Sequence, residues 1–99
     1  MSALIKVRGL TRLALFGASE TCEIVLSALR DSGFSVVLLL DNDSNKYGTV
    51  FHGHVVSRPH VLEQVECDAV VITSFGRQHE IFEQLKSIAS ERGFEIVRF

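Results

Sequence analysis

The chain writes one pattern twice. A short apolar run meets a glycine, an amphipathic stretch follows, and a Gly-Phe pair leads into another apolar run. The first copy is Leu13-Ala14-Leu15-Phe16, Gly17, Glu20 to Arg30, Gly33-Phe34 and Ser35 to Leu40. The second is Asp68 to Thr73, Gly76, Gln78 to Arg92, Gly93 and Phe94 to Phe99. Apolar runs without polar alternation suit strands covered on both faces, as in a parallel sheet. Strands alternating with helical stretches point to βαβ units, whose crossovers are right-handed. The expected fold is therefore α/β: a doubly wound, parallel, five-stranded sheet with helices on both faces. Its expected strand order is 3-2-1-4-5, two βαβ halves joined back to back.

The helical readings rest on periodicity. Cys22, Val25, Leu26 and Leu29 recur at 3.6-residue spacing, with Ser19 as N-cap and Gly33 as the stop. Ile81, Phe82, Leu85, Ile88 and Ala89 do the same before Gly93. A third, shorter helix is expected over His60 to Glu66, after Pro59. Between Val50 and Val56 a single short strand is expected, centred on His54-Val55-Val56. Phe94 to Phe99 reads as an edge strand, given Glu95 and Arg98.

Ninety-nine residues make one domain, read here as residues 12–99, with residues 1–11 left uncommitted. A composition of 46% hydrophobic against 22% charged residues excludes disorder. Ten basic and twelve acidic residues, net charge −2, give no footprint for nucleic acid or an anionic membrane. The run Val36 to Leu40 falls far short of a membrane span. Two cysteines make no disulfide framework, so a cytoplasmic location is expected.

Ligands of an open parallel sheet bind beyond the carboxyl ends of its strands, where strand order reverses. The expected walls are Gly17, Ala18, Ser19, Glu20 and Thr21 on one side and Thr73 and Ser74 on the other. Gly17 permits the tight turn, and the amides after it face the helix N-terminus, where a phosphate is the natural guest. The full G-x-G-x-x-G fingerprint is absent, with Ser19 and Cys22 at its second and third glycine positions. Asp41, with Asn42 beside it, ends the second strand where a carboxylate holds ribose hydroxyls. That charge favours NAD over NADP. The bland reading makes Gly17 a structural turn and Asp41 a loop cap.

Other chemistry fits less well. Asp41, Asp43 and Asn45 mimic a calcium loop, but Lys46 and His52 stand where glycine and glutamate belong. His52 and His54 lack a third metal ligand at a recognised spacing. Cys22 lies on a core face, as a structural thiol does. No catalytic constellation is legible, so the enzyme question stays open and a binding domain is expected.

The strings Leu15-Phe16-Gly17-Ala18-Ser19-Glu20-Thr21, Asp41-Asn42-Asp43, Lys46-Tyr47-Gly48, His52-Gly53-His54-Val55-Val56 and Asp68 to Ser74 carry a resemblance. The chain resembles the small Rossmann-like domain of bacterial polysaccharide-biosynthesis proteins. These include epimerase/dehydratase and sugar O-acyltransferase N-terminal types. The resemblance implies an NAD or nucleotide-sugar ligand and a sugar-modifying context. It implies Gly17, Ser19 and Glu20 at the phosphate, Asp41 at the ribose, and Thr73 and Ser74 opposite. Such domains are usually appended to catalytic ones, so a separate catalytic partner or a homodimer is expected. The alternative is an interaction or dimerisation domain that binds no ligand.

Overall fold

The computed structural model describes residues 11–30 and 32–98. Of the uncommitted segment 1–11, all but Thr11 lies outside the described residues, as does Phe99. Six strands of the described residues form one sheet: β1 (Arg12–Phe16), β2 (Ser35–Leu40), β3 (Val50–Phe51), β4 (His54–Ser57), β5 (Ala69–Ile72) and β6 (Glu95–Val97). Among the described residues two α-helices pack on it, α1 (Glu20–Leu29) and α2 (Gln78–Arg92). The order is β3-β4-β2-β1-β5-β6. All neighbours are parallel except the antiparallel pair β3–β4. Without β3, this is the expected order.

Three local expectations are corrected. Val50 to Val56 is a hairpin rather than one strand. It turns at His52-Gly53, both at positive φ (48° and 84°), the two-residue geometry that matches strand twist. The stretch expected as a third helix is a 3-10 turn, Pro59–Glu63, closed by i→i+3 bonds such as Gln64 N–H to Val61 O at 2.9 Å. So short a segment has too few bonds to offset helix nucleation. It still buries Leu62 against the sheet. The last strand is shorter than expected, Glu95–Val97, and Phe94 before it is a core residue.

The core lies on both sheet faces, divided by strand alternation. Leu13, Leu15, Ala69 and Val71 meet Cys22, Val25 and Leu29 of α1. Ala14, Phe16, Val70 and Ile72 meet Ile81 and Leu85 of α2, with Leu62 and Phe94. Each large apolar side chain so buried contributes roughly 1.5–3 kcal/mol. β1 is flanked on both sides and covered above and below, so Leu13 to Phe16 are buried throughout.

β2 breaks its own alternation. Its register against β1 runs Leu13↔Val36, then Ala14↔Leu38, so Val37 is an extra, bulged residue. Val36 therefore packs on the α1 side, while Leu38, two residues later, packs on the α2 side. Leu39 and Leu40 continue in the shifted phase. Val37 is 38% exposed, and only Leu39 and Leu40 are fully buried, because β4 pairs with β2 only at those two residues. Full burial of this strand on both faces, expected from its apolar run, holds only at its end.

Candidate functional site

The strands β1, β2 and β5 end at one edge of the sheet, and a cleft of about 390 Å³ opens there. Phe16, Gly17 and Ser19 supply the wall from β1. Asp41, Asn42, Asp43 and Lys46 supply it from β2, and Ser74, Arg77 and Ile81 from β5 and α2. Of the residues expected here, Gly17, Ser19, Asp41, Asn42 and Ser74 line this cleft.

Gly17 makes the turn from β1 into α1 at φ +122°. Only glycine fits there. A Cβ would lie 3.0 Å from Thr73 Oγ1 and 3.1 Å from both Ser74 N and Ser74 Cβ. Thr73, expected on the opposing wall, is instead fully buried beneath the turn. Its Oγ1 lies 2.7 Å from Gly17 O and 3.0 Å from Phe16 O, fastening the end of β5 to the end of β1. Cys22 packs in the same place, and burial raises its thiol to about 11, against the opposing effect of bonds to Thr73 and the Ser19 backbone.

The turn amides do not point freely at a guest, as the sequence suggested. Gly17 N–H donates to Leu40 O at 2.7 Å, Ala18 N–H to Asp41 Oδ2 at 2.8 Å, and Ser19 N–H to Gly17 O at 3.0 Å. Ala18 itself is buried and enters the site only through its backbone. Glu20 and Thr21 do not line the cleft. Glu20 faces a shallow depression on the outer side of α1, beside Glu23 and Ile24. Ser19 holds the N-cap position with extended backbone, yet its hydroxyl makes no capping bond.

Asp41 organises the loop after β2. Its Oδ1 accepts from Asp43 N–H at 2.8 Å, an Asx turn, while Oδ2 holds Ala18. Lys46 Nζ lies 3.5 Å from Oδ2 and donates to Ala18 O at 2.9 Å. Asp43 in turn caps the 3-10 turn Ser44–Lys46 through Asn45 N–H, 3.0 Å away. Asn42 exchanges two amide bonds of 2.9 Å with Gln84 of α2, tying this loop to the far face.

Sequence reasoning missed Phe16, Asp43, Lys46, Arg77 and Ile81. Lys46 and Arg77 carry a signal that was available: each is a cation a few residues past a strand exit. Among the described residues no group of three or more His, Cys, Asp or Glu side chains is placed to hold a metal ion. No helix among them is long and apolar enough to cross a membrane.

A family model described as C2185-like, N-terminal, matches residues 9–93. No curated protein matches the chain. Several solved structures share its architecture. UDP-D-quinovosamine 4-dehydrogenase from Vibrio fischeri superposes with TM-score 0.72 at 20% identity, over 90% of this chain and 77% of that one. RSP, a Rex-family repressor, superposes with TM-score 0.73 at 15% identity, over 98% of this chain and 50% of that one. RSP in complex with β-NAD+ and operator DNA superposes with TM-score 0.73 at 16% identity, over 98% and 48%. The chain thus spans about half the length of the repressor. At these identities the likeness establishes the fold, which is Rossmann-like.

Proposed function

This chain belongs to the C2185-like N-terminal family, and on that footing we propose that it is a nucleotide-binding module that takes NAD or a nucleotide-sugar. In this reading it serves a sugar-modifying or polysaccharide-biosynthesis system and acts with a separate catalytic partner. The observation that carries it is the cleft at the reversal of strand order, where the Gly17 turn, Asp41, Lys46 and Arg77 converge. The likeness to RSP, solved with β-NAD+ and with β-NADH, supports it. Asp41 is the ribose group: a carboxylate has about four lone-pair positions, and its two bonds to Ala18 and Asp43 leave room for hydroxyl donors. Ser19 and Ser74 offer hydroxyls to phosphate oxygens.

Titration with NAD, NADP, a UDP-sugar and CoA, followed by amide chemical shifts, tests the reading. Shifts should cluster at residues 17–21 and Asp41. No shift at millimolar ligand overturns it. Asp41→Asn keeps an acceptor for Ala18 and removes the charge, so any preference for NAD over NADP should vanish.

A second reading has its own observation. Val50 and Val55 face each other across the β3–β4 hairpin and are 70% and 56% exposed. An apolar pair on an edge hairpin suits an interaction or dimerisation domain. Sedimentation of the wild type and of Val50→Lys separates this reading, since only an interface at the hairpin would be lost in the variant.

A further inference from the structure

We propose that Arg77 recognises the second phosphate of a diphosphate-linked ligand, so that the cleft selects diphosphates over monophosphates. This rests on the nucleotide-binding reading above and adds the group that reads the phosphate chain. The usual amide cradle is weakened here, because the N–H groups of Gly17, Ala18 and Ser19 already have acceptors within the protein. Anion recognition then falls to side chains. Lys46 is partly neutralised by Asp41, 3.5 Å away, and its ammonium also donates to Ala18 O. Arg77, an exposed residue, lines the same cleft, and among the described residues its guanidinium makes no ion pair or side-chain hydrogen bond.

Position sets the number of phosphates. Arg77 sits on the 3-10 turn after β5, at the start of α2, while Ser19 sits at the start of α1. β1 and β5 are hydrogen-bonded neighbours, so their exits open ~4.8 Å apart before diverging into separate helices. Two phosphoryl groups linked through one oxygen place one at each exit. A single phosphate engages one exit only. The planar fork of arginine suits bidentate contact with the far phosphate. NAD and nucleotide-sugars both carry such a diphosphate.

The test compares ADP with AMP by calorimetry on the wild type, Arg77→Ala, Arg77→Lys and Lys86→Ala. The last makes the same charge change on the exposed side of α2, where Lys86 pairs with Glu83. The wild type should prefer ADP by about tenfold or more, the scale of one charge-assisted contact. Arg77→Ala should bring the ratio near one, Arg77→Lys should retain part of it, and Lys86→Ala should leave it unchanged. Parallel titrations with NAD+ and UDP-glucose distinguish the two diphosphate sources. If Arg77→Ala keeps the ADP preference while shifts at residues 17–21 persist, this inference fails and the nucleotide reading stands. If no nucleotide shifts the wild type, both fall.

Discussion

Replacing Gly17 by alanine tests the structural account of the site most directly. The backbone there has φ +122°, a conformation close to glycine-only, which costs other residues roughly 1–3 kcal/mol. The added methyl also meets Thr73 Oγ1 at 3.0 Å and the Ser74 backbone nitrogen and Cβ at 3.1 Å. Neither Ser74 atom is the end of a flexible chain, so β5 must move away from β1. Overpacking of this kind costs roughly 1–3 kcal/mol. The sum, about 2–6 kcal/mol, is a large part of the roughly 5–15 kcal/mol typical of a whole domain. Gly93→Ala is the control. It lies at φ +77° with nothing within 4 Å of where an added Cβ would sit, so it carries only the backbone cost, about 1 kcal/mol. Urea unfolding followed by circular dichroism measures both. If Gly17→Ala is no more destabilising than Gly93→Ala, the close approach of the turn to β5 is not a constraint and the reasoning fails.

Three further outcomes are expected. Asp68 accepts Arg12 N–H at 2.7 Å, pairs with the Arg12 guanidinium and accepts Thr11 N–H at 3.0 Å, and these contacts, the Arg12 backbone bond foremost, hold its carboxyl at about 2. Because the folded value is depressed, its stabilisation is complete above the ordinary value of 3.8 and is lost as pH falls toward 2. Discounted for solvent screening at this partly exposed site, it is about 1 kcal/mol, and the difference between wild type and Asp68→Asn in urea midpoints should shrink over that window. Cys22 and Cys67 are both buried, and burial raises both thiols to about 11, so a thiol reagent at pH 8 should label them only at the rate of opening. Immediate labelling of the native protein would contradict this. Ser19→Ala should cost less than about 0.5 kcal/mol, not the ~1 kcal/mol of a normal cap, since the hydroxyl makes no capping bond. A full loss would show that the hydroxyl caps α1 in solution.

Legibility followed the range of the forces involved. β1, the α-helices among the described residues and the strand order could be read because apolar periodicity is a local signal, although α1 stops at Leu29, before the glycine expected to end it at Gly33. Gly93 does end α2 in the left-handed conformation. The Pro59–Glu63 turn and the β3–β4 hairpin were misread because pattern alone does not set segment length. At the site, Gly17, Ser19, Asp41, Asn42 and Ser74 share one cleft, as their places after strand ends suggested. Thr73 differs because a strand-end side chain takes whichever side the pleat assigns, and here that is the interior under the turn. Lys46 and Arg77 reach the cleft from loops, and no periodicity governs a loop.

The order of apolar runs and glycines is enough to determine a doubly wound sheet with its opening at the ends of β1 and β5. The direction in which Asp41 faces is not contained in that order. Strict alternation from Val36 would put Asp41 on the α2 side. The bulge at Val37 inverts the phase, so that counting on from Leu40 brings Asp41 to the α1 side, where it bonds Ala18 N–H. A bulge is a choice of register between two strands, made by how β2 fits β1. Only the assembled sheet decides it, and it decides which helix the carboxylate serves.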